Sequence, residues 1–327
     1  HSTSRRQRQM CIRDSLNLIP VGGGKDSCVT LELMRAFHPQ NRLFMVNFQE
    51  ARNQCALTAG YTQGDMIHVL RTIDPMLLER NREGFLNGHT PFSAIVAFLS
   101  FYTAYLIGAE HIVLSNESSA NEGNLSGASV NHQYSKSFAF EHDFQQYAHK
   151  NLMPDIHYFS LLRPFNELQI AKYFAALPQY HAVFRSCNAG SKRNVWCRNC
   201  AKCLFVCGIL SPFLPPEQLS AIFGENLLER DELREIFDGL AGFSPLKPFE
   251  CVGTQEELRF ALALAARQYR ARGEALPALL QYFTQHADWE ALSSDGSLLN
   301  AWNPQHEIPA AFQPYIKEMH NYAAGIA

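Results

Sequence analysis

The sequence lacks any run of 18 or more apolar residues; the longest candidate, 94–109, is interrupted by Ser100, Thr103 and two tyrosines. A bilayer core needs about 20 consecutive apolar positions, so this segment reads as a buried helix rather than a membrane span. The amino end lacks the apolar stretch of a secretory signal. An excess of charge of one sign is also missing, since 28 basic residues against 31 acidic ones leave a net charge of −3. That removes the basic footprint of a simple nucleic-acid-binding module. Charged residues are few, 18 % against a usual value of about 25 %. With 46 % hydrophobic residues, the chain buries too much apolar surface to stay disordered. No internal repeat or low-complexity tract is present. What remains is a compact, cytoplasmic protein of about two domains, with a small molecule rather than a membrane or nucleic acid as its partner. The sequence does not fix its oligomeric state.

Residues 1–15 contain four arginines and no apolar periodicity. They read as translated cloning or adapter sequence with no part in the fold. Beyond them, short apolar runs alternate with helical patterns. Strands are expected over 16–21, 42–48, 65–71, 111–115 and 156–160, and helices over 28–38, 51–59, 91–109 and 166–176. This alternation predicts an α/β fold, a doubly wound parallel sheet covered by helices on both faces. From Pro215 onward the pattern is mostly helical, with Thr254 and Glu257 forming a capping box ahead of 258–269.

The first strand runs into Gly22, Gly23, Gly24, Lys25, Asp26 and Ser27 and then a helix. Glycines let the backbone approach an anion closely, and a helix start presents unpaired N–H groups and the positive end of the dipole. A plainer reading is a glycine turn in which Asp26 caps the helix. The loop is neither the Walker pattern nor G-x-G-x-x-G. It resembles the PP-loop, S-G-G-x-D-S, of the ATP pyrophosphatases (adenine nucleotide alpha hydrolase-like enzymes), with Gly22 in place of the first serine. That resemblance implies ATP cleaved to AMP and pyrophosphate, with the adenine near the end of the second strand, at Asn47.

Four of the nine cysteines stand as Cys187, Cys197, Cys200 and Cys203. Two successive C-x-x-C steps put three thiolates on one turn entering a helix, and a fourth from a nearby loop completes a tetrahedron, the closed geometry of structural zinc. A redox pair among these thiols is the alternative. Cys207 lies one helical turn on and reads as core, as do Cys28 and Cys55. The cluster resembles the zinc site of the 7-cyano-7-deazaguanine synthases, themselves PP-loop enzymes, in which zinc holds the loop over the nucleotide.

The fourth strand leads into a polar stretch of about 20 residues, and loops of that length are usually functional or disordered. It carries Asn116, Glu117, Asn121, Glu122 and Asn124, then His132, Tyr134 and Lys136. In open α/β sheets ligands bind beyond the carboxyl ends of the strands. A further segment, 247–253, sets a carboxylate beside the thiol of Cys251.

Together these segments resemble the MurL family of ATP-dependent UDP-N-acetylmuramoyl-L-alanyl-L-glutamate epimerases of peptidoglycan synthesis. The resemblance implies inversion of a terminal L-glutamate through an acyl-adenylate, with ATP, Mg²⁺ and structural Zn²⁺, and an amino-terminal portion missing here. It implies a PP-loop domain over 16–180, a zinc segment over 181–214 and a helical substrate or lid region over 215–327. Asp26, with Glu117 or Glu122, is expected to hold magnesium. The acid/base pair stays open among Glu117, Glu122, His132, Tyr134, Lys136 and Cys251, with Lys136 alternatively gripping a substrate carboxylate. Rival readings are a PP-loop ligase of the deazaguanine-synthase kind, a tRNA-modifying PP-loop enzyme, and a nucleotide-binding protein without turnover. About 120 residues after Cys203 tell against the first, and the net charge of −3 tells against the second.

Overall fold

A computed structural model describes residues 15–86, 91–121, 134–245, 248, 250 and 252–326. Five strands, β1 (Leu16–Pro20), β2 (Asn41–Val46), β3 (Met66–Val69), β4 (Ala109–Leu114) and β5 (His157–Ser160), form one parallel sheet in the order β3-β2-β1-β4-β5. The helices of the sheet half are α1 (Lys25–Leu33), α2 (Glu50–Thr58), α3 (Pro75–Arg82), α4 (Phe92–Ile107), α5 (Phe138–Asn151) and α6 (Glu167–Ala175). The second half contributes α7 (Ala201–Leu210), α8 (Pro216–Phe223), α9 (Arg234–Ala241), α10 (Gln255–Arg272), α11 (Ala278–His286), α12 (Trp289–Ser294), α13 (Ser297–Asn300) and α14 (Gln313–Ala324). The expected parallel α/β sheet and the mostly helical second half are both present.

Alternation along the strands explains the layering. Ile19, Leu43, Met45, Val113 and Phe159 point to one face and join a core that runs on through α6, α7 and α10. Leu18, Phe44, Ile112, Leu114 and Tyr158 point to the other face, under α4 and α5. A parallel sheet covered on both sides needs apolar residues at both parities. Each such side chain contributes about 1.5–3 kcal/mol on burial.

Several boundaries differ from the sequence expectation. The helix expected over 28–38 starts at Lys25, because Gly24 is its N-cap, and ends at Leu33; Arg35–Gln40 is a 3-10 segment containing Pro39, which cannot continue an α-helix. The strand expected over 65–71 is only Met66–Val69 at the sheet edge. The helix expected to be buried over 91–109 buries one face only: Ala97, Phe101 and Ala104 pack inward, while Phe98, Tyr102, Tyr105 and Leu106 are more than half exposed. Its high apolar content masks this asymmetry in the sequence. The capping box at α10 is as expected, with Thr254 Oγ1 accepting from Glu257 N and Glu257 Oε2 accepting from Thr254 N. Cys28, Cys55 and Cys207 lie in the core, the first two with sulfurs 3.4 Å apart. Residues 1–14 of the expected artefact lie outside the described residues.

The loop after β4 is tied to β5 by a buried ion pair. Arg163 is fully buried and Glu141, on α5, is 1 % exposed; Arg163 Nη2 donates to Glu141 Oε2 at 2.7 Å. Arg163 also donates to the backbone carbonyls of Glu117 and Lys136, both at 2.8 Å. Glu141 accepts in addition from Ser160 N and Ser160 Oγ. Removing one member of a buried pair strands the other without water. Arg163→Met is therefore expected to lower stability by about 3–5 kcal/mol, measured by urea unfolding. The double variant with Glu141→Leu is expected to regain a large part of that loss.

Candidate active site

The strand order reverses between β1 and β4, and two polar loops leave the carboxyl ends of those two strands side by side. This is where an open α/β sheet accommodates ligands. A cavity of about 290 Å³ lies there, lined by Gly22, Gly24, Asp26 and Ser27 from the glycine loop and by Ser115, Asn116 and Glu117 from the loop after β4. Its remaining walls include Phe44 and Val46 from β2, Arg52, and Glu167, Lys136 and Lys202.

The glycine loop is shaped by its neighbours. Gly23 has φ +81°, and a Cβ there would stand 3.1 Å from the Arg52 backbone nitrogen, so the close passage of α2 demands glycine. A Cβ at Gly22 would meet nothing within 4 Å, which leaves that side of the cavity open to a ligand. Ser27 Oγ accepts from Gly23 N at 3.0 Å and donates to Gly24 O at 2.9 Å, bracing the turn. The start of α1 has no side-chain cap, so its first amides and the dipole are available to an anion. Arg52 Nε and Ser115 Oγ, both on the cavity wall, are buried without a hydrogen-bond partner among the described residues. Both fit a polyanionic ligand.

Carboxylates crowd the floor. Lys25, 2 % exposed, is paired with Asp26 and Glu167. Burial alone would push its ammonium down, but these two carboxylates outweigh it and hold it above the ordinary lysine range. Glu167 N donates to Glu257 Oε1 at 2.9 Å, and Ser119 Oγ donates to the same oxygen. Glu257 thus caps α10 and ties it to the loop after β4. Its carboxyl is pushed up by burial and by Glu167. Glu117 is pushed up to about 7 by burial and by the charges of Glu167 and Asp26, against the opposing pull of Lys136 and Lys25. Asp26, Glu117 and Glu167 all line the cavity, so carboxylate oxygens are on hand for a hard cation, although among the described residues only the four cysteines bring such ligand atoms within 4.8 Å of one another.

Among the residues singled out in the sequence, Asn116, Glu117, Lys136, Gly22, Gly24, Asp26 and Ser27 come together on this cavity. Gly23 and Lys25 lie just behind it. Asn47 does not line it: it is exposed, with φ +59°, and its Oδ1 accepts from Arg71 N. Tyr134 is 51 % exposed, with its hydroxyl against Asp143. Glu122, His132 and Cys251 lie outside the described residues. Arg52, Lys202, Glu167 and Glu257 were not anticipated as site residues. Glu257 was legible only as a helix cap, and the others carry no local motif.

The four cysteines do converge. The sulfurs of Cys187, Cys197, Cys200 and Cys203 all lie within 4.8 Å of one another, with Cys200–Cys203 at 3.5 Å, Cys197–Cys203 at 3.7 Å and Cys187–Cys200 at 4.0 Å. Metal–sulfur bonds of about 2.3 Å in a tetrahedron place sulfurs about 3.8 Å apart, so the cluster can hold a metal ion. Gly190 N donates to Cys187 Sγ, and a Cβ on Gly190 would stand 1.9 Å from Val195 O, so only glycine fits that turn.

A family model described as the MurL N-terminal domain matches residues 1–161, and one described as the MurL C-terminal domain matches 183–294. Three curated relatives bear the name UDP-N-acetyl-alpha-D-muramoyl-L-alanyl-L-glutamate epimerase. That of Xanthomonas oryzae pv. oryzae is 38 % identical over 79 % of this chain and 58 % of its own length. That of a Micromonospora strain is 36 % identical over 92 % of this chain and 67 % of its own. That of Salinispora tropica is 38 % identical over 77 % and 56 %. The chain thus spans between 56 % and 67 % of the length of these relatives.

The Glu117 environment sets a pH dependence. Between its ordinary value of 4.5 and about 7, the folded protein holds a proton that the unfolded chain has released. Raising the pH through that window therefore weakens the fold. Glu117→Gln cannot ionise, and is expected to match the wild type in urea unfolding at pH 4 and to exceed it by on the order of 1–3 kcal/mol at pH 8.

Proposed function

Because the chain belongs to the MurL family, we propose that it inverts the terminal L-glutamate of UDP-N-acetylmuramoyl-L-alanyl-L-glutamate to D-glutamate at the expense of ATP. The observation that carries this reading is the meeting of an uncapped glycine-loop helix start with Glu117, poised near neutrality, on one cavity. The reading makes the sheet half a PP-loop domain of the ATP pyrophosphatase type.

A free carboxylate beside Cα opposes loss of the Cα proton, since negative charge would accumulate on negative charge. Transfer of AMP to that carboxylate, with release of pyrophosphate, removes the obstacle. The glycine-loop amides and Arg52 hold the phosphates, and Ser115 donates to the same region. Asp26 and Glu167 would hold magnesium, whose charge offsets that of the departing pyrophosphate. Glu117 as carboxylate takes the Cα proton, and the electron pair moves into the acyl carbonyl. A group with a pKa near the working pH is suited to this transfer. Lys136, on the same cavity, returns a proton to the opposite face, and water then cleaves the acyl-adenylate to the D-glutamate carboxylate and AMP. Both protons equilibrate with solvent between turnovers. Zinc at Cys187, Cys197, Cys200 and Cys203 would hold the segment that carries Lys202 against the cavity.

The reaction is tested with UDP-N-acetylmuramoyl-L-alanyl-L-glutamate, ATP and Mg²⁺ in deuterated water, on the chain and on a longer form matching the relatives' length. The expected outcome is AMP with pyrophosphate, and D-glutamate deuterated at Cα by chiral analysis and mass spectrometry. AMP formation by the longer form with only undeuterated L-glutamate would point to a ligase instead. Glu117→Gln is expected to lower turnover by at least 10²-fold while leaving ATP binding within about threefold.

Metal analysis of the purified chain is expected to give about one zinc per molecule. Cys200→Ser is expected to lower both the zinc content and the unfolding midpoint, because metal binding is coupled to folding.

A further inference from the structure

A second cavity, of about 690 Å³, is lined by Arg185, Arg193, Arg198, Trp196, Asn194 and Phe223, together with Cys197 and Cys200 of the thiol cluster. Among the described residues its lining contains three arginines and no aspartate or glutamate. Arg193 and Arg198 are exposed; of the two, Arg198 has a carboxylate neighbour, Glu225 at 3.5 Å, which Arg230 shares at 3.6 Å. Arg185 is half-buried and its Nε has no partner among the described residues. Trp196 is 6 % exposed, wedged between Phe184 and Phe223, and its indole N–H is likewise buried without a partner. A buried N–H left unpaired costs about 1–3 kcal/mol; the same lining also holds one buried acceptor without a partner among the described residues, Asn194 Oδ1, so unpaired donors outnumber unpaired acceptors two to one.

The cleft adjoins the first cavity. Arg185 N donates to Gly23 O at 2.8 Å, so the segment that lines the second cavity also braces the glycine loop. Lys202, on the first cavity, follows Cys200, on the second, by two residues. Guanidinium forks and an indole N–H are donors only, and suit the oxygens of a phosphate or diphosphate. In a UDP-sugar peptide the diphosphate is separated from the glutamate by the sugar, the lactyl group and alanine. A substrate of that length needs a recognition site apart from its reacting carbon.

The geometry points to this arginine–tryptophan cleft as the site that takes the diphosphate of the nucleoside diphosphate sugar, while the glutamate end occupies the first cavity. The choice of ligand rests on the proposed function; the cleft itself rests on the lining and its unpaired donors. The competing role for the arginines is to offset the charge of a metal held by four thiolates.

The test is isothermal titration calorimetry of the full chain with UDP, with zinc content measured on every sample. Gly22→Asp, whose side chain has open space and places a carboxylate where ATP phosphates would lie, removes the first cavity as a binding place. UDP is expected to bind the wild type and Gly22→Asp with affinities within about threefold. Arg193→Ala with Arg198→Ala is expected to weaken UDP at least tenfold, and Trp196→Phe, which keeps the ring packing and deletes the N–H, severalfold. Zinc content is expected to stay unchanged in all three. Loss of UDP binding in Gly22→Asp, unaltered binding in the arginine variant, or loss of zinc from the arginine variant would each overturn the assignment. None of these readouts requires turnover, so a failure of the epimerase reaction would leave a distinct signature: UDP bound in the cleft by a chain that does not invert glutamate.

Discussion

A guanidinium with no exposed surface must find its partners inside the protein, and Arg163 finds them in three other segments. It pairs with Glu141 on α5 and donates to the carbonyls of Glu117 and Lys136, while its Nε has no partner among the described residues. Glu141 in turn accepts from Ser160 at the end of β5. Strand β5, helix α5, the loop after β4 and the turn at Lys136 are therefore fixed relative to one another by one desolvated ion pair. Such a pair contributes little net stability over an apolar substitute, but it tolerates few alternative arrangements. Its product is a defined position for two backbone carbonyls whose side chains face the cavity.

A second layer of constraint comes from the carboxylates. Burial raises the proton affinity of Glu117, and the charge of Asp26 and Glu167 that Lys25 does not neutralise raises it further. Glu257 closes the arrangement from the helical half. One carboxylate caps α10, receives the first amide of α6 and binds Ser119 of the loop after β4. The two halves of the chain thus meet at a shared acceptor. A shift of α10 would change the electrostatic setting of the site, because Glu257 would move with it.

The thiol cluster extends the same logic to the segment after α6. Its four sulfurs gather residues 187–203, a segment with little regular structure that ends in the start of α7. Just before that segment Arg185 donates its backbone N–H to Gly23 O of the glycine loop, and within it Lys202 reaches the cavity wall. Metal ligation at Cys187 to Cys203 would hold both in place without a large local core.

What the sequence determined on its own was whatever depends on neighbours along the chain. The strand–glycine–helix junction at 20–27, the strand and helix alternation, the Thr254–Glu257 capping box and the cysteine spacing are all short-range patterns, and each is present in the fold. Glu117 and Lys136 were also reachable, because they lie on loops at the carboxyl ends of strands. Tertiary structure alone decided the rest. It set Tyr134 and Asn47 outside the cavity, although both stand beside residues that line it or in line with the expected nucleotide. It brought in Glu167, 142 residues from Lys25, and joined Arg163 to Glu141. It left one face of α4 exposed in a helix whose composition suggested full burial. The physical reason is that capping, turn formation and metal-ligand spacing are set by covalent geometry over a few residues. Desolvation and charge pairing depend instead on what packs alongside, and that is decided only once the sheet has closed and the helical half has docked against it.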